Sequence, residues 1–340
     1  ERRDSLIPLD ERSFKGAYYT PLHVVDKAYD KLAEVLGNNW QKEYVVWDMC
    51  CGVGNLEVKH SNPRNIYMST LDQADVDVMK ATKTCVGAQR FQYDYLNDDI
   101  TDDGKIDYSL TNKIPEGLRK AIADGKKILV LINPPYAEAT NAGNTSKDEE
   151  AKNKPGVAKT KFAESAMQEY GKASNELFTQ FVARIAQEIP NATLAMFSKL
   201  KYVNAPNFEK FREVWNAEYR DGFIVHSKAF EGLKGDFPIG FLIWKLAQNA
   251  KNKTPITEVI TEVLDKEARP IGEKRFYNLP TKTYLNTWIK RSKANKQDVV
   301  PLVNSVDVTK GKAWVKTWSD GAVAYMCTGT NDLQNAAKYT

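Results

Sequence analysis

Asn133, Pro134, Pro135 and Tyr136 stand in a row, directly after the apolar run at 128–132. Two prolines remove two amide donors and stiffen a turn. The Asn133 oxygen and the neighbouring carbonyls can then be held pointing one way. Fixed acceptors of this kind suit a planar amine that needs two of them. Tyr136 adds an aromatic ring placed to stack on a flat base. A second group is Asp48-Met-Cys-Cys51-Gly52-Val-Gly54-Asn-Leu56, at the end of another apolar run. Gly52 and Gly54 let the backbone turn sharply and come close to a ligand. Asp72 closes the next strand pattern, where a carboxylate can accept hydrogen bonds from ribose hydroxyls. These residues suggest a nucleoside-containing cofactor and leave NAD and S-adenosylmethionine both open. A third group, Lys15-Gly-Ala-Tyr-Tyr19-Thr20-Pro21, lies just before the first helical pattern.

The elements that must carry these groups alternate. Strand patterns fall at 45–49, 65–72, 90–96, 126–133 and 192–198, with 222–227 and 238–246 as a late antiparallel pair. The run at 126–133 is apolar on both faces, as a buried parallel strand is. Helix patterns fall at 21–36, 75–85 and 175–189. In the first, Val24, Val25, Ala28, Leu32 and Val35 make one stripe, with proline near its start. Alternation of this kind predicts an α/β fold with a doubly wound, mostly parallel sheet. One segment breaks the rhythm. Residues 137–173 are rich in Ala, Asn, Lys, Glu, Gly and Ser, and read as a functional loop after a strand end. No internal repeat is present.

With 340 residues, the chain has room for one large domain and a smaller appendage. The expected division is a catalytic domain at 1–250 and a basic C-terminal region at 251–340. Apolar runs are far shorter than a bilayer span, and no secretion signal is visible. Four cysteines without a CxxC pair argue against a disulfide scaffold or a structural zinc site. His23, His60 and His226 are scattered and make no metal spacing, so no metal is expected. A cytoplasmic protein with no membrane partner is the expectation. The net charge of +4 is uneven. Residues 94–107 hold six aspartates against one lysine, whereas 266–316 hold twelve Lys or Arg against four acids. The latter segment also carries Phe276, Tyr277, Tyr284, Trp288 and Trp314. Basic residues interleaved with aromatics suit a phosphate backbone and unstacked bases. Lys290, Arg291 and Lys293 are the candidates for contacts with such a phosphate backbone.

On these three groups, their order and their spacing, the sequence at roughly 14–246 resembles the S-adenosylmethionine-dependent DNA adenine-N6 methyltransferases. The arrangement is the one with the cofactor motif first. The resemblance implies a Rossmann-like methyltransferase sheet with helices on both faces. It implies that Cys51, Gly52 and Gly54 line the cofactor and that Asp48 lies near its methionine part. Asp72 would bind the ribose, and Asp94 with Tyr95 would lie beside the adenine ring. Tyr19, Thr20 and Pro21 would contact the amino-acid end. Asn133 and the Pro134 carbonyl would accept the target amine within the 133–136 turn, and Tyr136 would stack on the extruded base. Phe237 would form a second aromatic wall. Met49 and Val53 depart from the family's frequent residues, and the helix after Gly54 looks short, broken by Ser61, Asn62 and Pro63.

The function so implied is methyl transfer to a flipped adenine in double-stranded DNA, within a restriction–modification or related defence system. Its polypeptide would be larger than this chain. Rival readings are an RNA adenine methyltransferase, a protein-glutamine N5 methyltransferase and a non-catalytic DNA-binding module. A cytosine-C5 methyltransferase would need a Pro–Cys nucleophile, and no cysteine here follows a proline. A dehydrogenase would need a third glycine after Asp48. Glu150 and Lys152 have the spacing of half a nuclease motif but lack a strand to carry them.

Overall fold

A computed structural model describes residues 19–136, 160–230, 233 and 235–278, and four two-residue strands between 303 and 326. Lys290, Arg291, Lys293, Glu150 and Lys152 lie outside the described residues, as do positions 15–18 and most of the 137–173 loop. The chain divides into two compact units, Glu1–Pro280 and Thr281–Thr340. In the second, Val303–Asn304 pairs parallel with Tyr325–Met326, and Val306–Asp307 antiparallel with Trp314–Val315.

The first unit is built on one sheet. Helix α1 spans Leu22–Leu36 and the one-turn α2 spans Trp40–Glu43. Then follow β1 (Val45–Asp48), β2 (Ile66–Thr70), α3 (Gln73–Ala81) and β3 (Gln89–Gln92). Next are α4 (Glu116–Ala123), β4 (Ile128–Ile132), α5 (Lys161–Ala166), α6 (Leu177–Glu188) and β5 (Thr193–Lys199). The last elements are α7 (Lys201–Asn204), α8 (Glu209–Val214), β6 (Ala217–His226), β7 (Pro238–Leu246), β8 (Glu258–Leu264) and β9 (Pro270–Tyr277). The strand order is β3-β2-β1-β4-β5-β7-β6-β8-β9. From β3 to β5 every pairing is parallel. β7 runs antiparallel to both β5 and β6, which makes the late antiparallel strand. This is the mixed α/β, Rossmann-like sheet expected from the sequence.

Two apolar layers flank it. Alternation along β4 sends Ile128, Val130 and Ile132 to one layer and Leu129 and Leu131 to the other. Both faces must be covered, which is why the whole run is apolar. The α1 stripe, with Val24, Val25, Ala28 and Leu32 at no exposure, covers the second layer together with Val76 and Met79 of α3. Leu118 of α4, Phe178 and Val182 of α6 and Phe211 of α8 cover the first. Helix α1 stops at Gly37, whose φ of +88° suits glycine and whose amide caps the Ala33 carbonyl.

Three features differ from the expectation. No helix follows Gly54; the chain makes successive turns to Lys59 before Pro63 starts a 3-10 turn. Strands β8 and β9 continue the main sheet, β8 parallel to β6 and β9 antiparallel to β8. The expected division at 250 therefore falls between β7 and β8, inside the first compact unit. Finally, Lys266, Arg269, Lys274 and Arg275 of the basic segment sit on or beside β9, the edge strand among the described residues. Charged side chains there keep the open edge from pairing with another chain. Arg269 pairs with Asp265 at 2.7 Å, and Arg275 with Glu273 at 3.3 Å and Glu258 at 3.5 Å. Among the described residues, no helix is long and apolar enough to cross a membrane.

Candidate active site

The sequence groups collect at the carboxyl ends of the parallel strands. Asp48 ends β1, Asp72 follows β2, Asp94 follows β3 and Asn133 follows β4. The chain steps outward from β1 to β2 and β3, then returns to place β4 on the other side of β1. That reversal sets the loops after β1 and β4 side by side, at the place where such sheets usually take their ligands. Two of the candidate groups are those loops.

The 133–136 turn is tied to the segment before α1. Asn133 Nδ2 donates to Thr20 Oγ1 at 3.0 Å, across 113 residues of sequence. Thr20 is buried, and Tyr19 and Pro21 beside it are half-buried. The Tyr136 hydroxyl donates to Asn133 Oδ1 at 2.8 Å. Tyr136 is buried at 5% exposure, and burial pushes its phenol well above the ordinary value. It therefore stays a neutral donor. The ring is turned inward onto Asn133, where the sequence reading expects it to face a base. Pro134 is buried and Pro135 half-buried.

At the β1 end, the backbone folds back on Asp48. The Cys50 amide donates to Asp48 Oδ1 at 2.7 Å, and the Cys51 amide reaches the Ser69 carbonyl at 3.0 Å. Gly52 and Gly54 have φ of +53° and +84°, the left-handed region that favours glycine. A Cβ at Gly52 would come within 3.4 Å of the Tyr19 ring, which places the third group against the second. Burial, with Asp48 next in weight, raises the Cys50 and Cys51 thiols well above their usual value. Both stay protonated, so neither is a nucleophile.

Glu57 lies beneath this turn and was not among the sequence candidates. Asp48 and Glu57 are each 1% exposed. Burial raises both carboxyls, Asp48 to about 6, and the negative charge of Asp48 raises Glu57 further. Neither Glu57 oxygen accepts a hydrogen bond from a fixed donor. Two carboxylates cannot both ionise in so dry a place, so the pair keeps a proton, with protonated Glu57 donating to Asp48.

The acidic residues divide by environment. Asp72 is exposed and caps α3, accepting from the Ala74 amide at 2.9 Å. Next to it Leu71 is 65% exposed, an apolar side chain at the strand end that the sequence reading passed over. Asp94 is half-buried and shapes its own loop, accepting from the Leu96 amide at 3.2 Å and Asn97 Nδ2 at 2.9 Å. Tyr95 turns into the core. Its ring is 2% exposed, stacks on Phe181 with centroids 5.4 Å apart, and gives its hydroxyl to Glu188 at 2.6 Å. Arg184, fully buried, holds the same loop by donating to the Tyr95 and Asp98 carbonyls and to the Tyr93 hydroxyl. Tyr95 thus serves the core, and a ligand at this strand end would meet Asp94 and backbone. Asp99 of the acidic stretch is also structural, taking the Tyr93 hydroxyl at 3.0 Å and the Thr111 amide at 2.8 Å.

Phe237 is half-buried between β6 and β7. It borders a groove of ≈ 520 Å³ with Val225, His226, Leu264 and Ile271, and no residue of the 133–136 turn lines that groove. Phe237 and Tyr136 do border the same apolar layer of the sheet. A last residue escaped sequence reading. Lys199, at the end of β5, donates to the Tyr136 carbonyl at 3.0 Å. One lysine at a strand end carries no signal in a sequence with 48 Lys and Arg.

No family model matches the sequence, and the curated proteins contain no match to it. Solved structures match its fold. The type IIG restriction endonuclease BpuSI is 14% identical with a TM-score of 0.50, over 78% of this chain and 31% of that one. A nuclease-deletion mutant of the type ISP restriction–modification enzyme LlaGI, in complex with a DNA substrate mimic, is 15% identical with a TM-score of 0.50. That match covers 84% of this chain and 33% of the other. At such identities the likeness is one of fold. The chain spans about a third of the length of either protein.

Proposed function

We propose that this chain is an S-adenosylmethionine-dependent methyltransferase that acts on the N6 amine of an adenine extruded from double-stranded DNA. Its setting would be a restriction–modification system, working with parts of a larger assembly. One observation carries the reading. The Asn133–Thr20 hydrogen bond joins the acceptor turn after β4 to the segment before α1, at the switch point beside the glycine turn. Three separated motifs meet at the carboxyl end of the sheet, the Asn133 amide on one side and the glycine turn on the other, both against the Tyr19–Thr20 segment.

The residues present suit the cofactor. Asp72 offers an exposed carboxylate at the end of β2, with the apolar Leu71 beside it, a match for a ribose and a purine face. The left-handed glycine turn presents backbone without side chains, against Tyr19. S-adenosylmethionine would supply an electrophilic sulfonium methyl. The protein's own work is on the amine. An adenine amine is a poor nucleophile because its lone pair is delocalised into the ring. Asn133 Oδ1 and the Pro134 carbonyl accept its two hydrogens and favour a localised lone pair. Positioning of this kind does the work of catalysis, with no side chain needed as a strong base. The Tyr136 hydroxyl holds the acceptor until the amine replaces it, and the ring then turns toward the base. With the Cys50 and Cys51 thiols protonated, transfer would be direct: the amine nitrogen gains the methyl as the methyl–sulfur bond breaks, and the surplus amine proton passes to water.

Asn133→Ala tests the assignment. Cofactor binding by calorimetry should persist, weakened by no more than the loss of the Thr20 hydrogen bond, about 0.5–1.5 kcal/mol. Transfer of label from methyl-tritiated cofactor to unmethylated genomic DNA should fall by at least about 10³-fold. Labelling at the wild-type rate would reject the role of Asn133. Label appearing in RNA or in protein glutamine would select a rival substrate.

A further inference from the structure

We propose that Lys199 and Glu176 are positioning residues that set the acceptor turn, an inference that rests on the function proposed above. A turn with prolines at 134 and 135 has two fewer amides with which to fix itself. Its N-terminal end is held by β4, paired with β5 up to Ile132 and Met196, and by the Asn133–Thr20 hydrogen bond. Its C-terminal end is held from outside. Lys199 Nζ donates to the Tyr136 carbonyl at 3.0 Å.

The lysine is itself held. Glu176 is 1% exposed at the start of α6, and its carboxylate lies 2.6 Å from Lys201 Nζ and 3.8 Å from Lys199 Nζ. One buried carboxylate thus faces both ammonium groups and fixes where the Lys199 side chain runs. The Lys199 side chain is only 21% exposed, so its position is confined. The chain of contacts runs from Glu176 through Lys199 and the Tyr136 backbone to the Tyr136 ring and then to Asn133 Oδ1. A shift at the lysine end moves the backbone that carries the aromatic wall, a coupling that persists after the amine has displaced the Tyr136 hydroxyl from Asn133 Oδ1. Reaction rates respond to misplacement of about 1 Å by roughly 100-fold.

The test is single-turnover methyl transfer to unmethylated genomic DNA, at saturating DNA and cofactor, with dissociation constants for both measured alongside. Lys199→Met should slow transfer by about 10- to 100-fold. Both dissociation constants should stay within about twofold, and Lys199→Arg should restore most of the rate. Glu176→Gln, which keeps the side-chain shape, should fall between the two; it is the deciding variant if Lys199→Met does not fold. A Lys199→Met rate equal to wild type overturns the proposal. So does a slow variant whose cofactor affinity falls in parallel, since that marks general loosening of the site. A wild-type protein that transfers no methyl fails at the earlier step, and removes the proposal with the function it rests on.

Discussion

Asp48 and Glu57 make the sharpest prediction about a single pair of side chains. Unfolded, both carboxyls release their protons near their ordinary values; folded, burial raises both, Asp48 to about 6 and Glu57 well above its ordinary value. The folded chain therefore binds more protons than the unfolded chain above about pH 4. Stability from the pair is greatest at low pH and declines as pH rises through 6. Glu57→Gln supplies an amide donor to Asp48 without needing a proton. Its stability should decline less between pH 5 and 8, and at pH 8 it should exceed wild type by about 1.5–3 kcal/mol. Urea unfolding at the two pH values measures this; parallel curves would mean the two carboxyls share no proton. Gly54 makes a second prediction. A Cβ there would meet Met68 Cε at 2.7 Å, on a backbone at φ +84°. Gly54→Ala should cost more than the ~1–2 kcal/mol of the left-handed backbone alone, read as a lower urea midpoint. The 133–136 turn and the glycine turn stand out in the sequence because they combine rare residue types at fixed spacing, and the structure brings both to the carboxyl end of the sheet. Glu57 and Lys199 were not, because only the fold makes a common charged residue unusual.

At the scale of elements, α6 explains more than it advertises. Its apolar spacing was readable, whereas nothing in the sequence marks Arg184 and Glu188 on the same helix as buried. Both are buried and serve the loop after β3: Arg184 binds backbone at 95 and 98, and Glu188 takes the hydroxyls of Tyr95 at 2.6 Å and Tyr108 at 2.7 Å. Removing one partner of a buried pair strands the other, at a cost of about 3–5 kcal/mol. Arg184→Met should lower stability by that amount in urea. It should also weaken cofactor binding, because the loop that carries Asp94 loses its anchor. Full cofactor affinity in a destabilised variant would separate the helix from the site. Seven strands and three helices followed from period and composition within a few residues. The turn series after Gly54 did not follow a helical pattern, and the structure has no helix there.

The whole molecule differs most from the sequence reading beyond residue 250. Strand β8 sets the apolar pairs Val259-Ile260 and Val263-Leu264 among Thr and Glu, a pattern of neither period 2 nor period 3.6, and β9 is charged, so the segment was assigned to a basic C-terminal region. In the structure Val259 and Leu264 are buried and extend the main sheet. A chain ended at Pro280 should unfold cooperatively. One ended at residue 250 should aggregate, because the β6 edge and its apolar neighbours would be uncovered. Light scattering with urea unfolding on both chains checks this. The place of the site at the switch point was predictable, since strand order fixes it, whereas the inward Tyr136 and the core role of Tyr95 depend on packing that spacing does not encode. The most direct test of the central claim is nucleoside mass spectrometry on unmethylated DNA, incubated with the protein and S-adenosylmethionine carrying a deuterated methyl group. The expected result is labelled N6-methyladenine with the wild-type protein and none with Asn133→Ala. Labelled 5-methylcytosine, or equal label with Asn133→Ala, would contradict it.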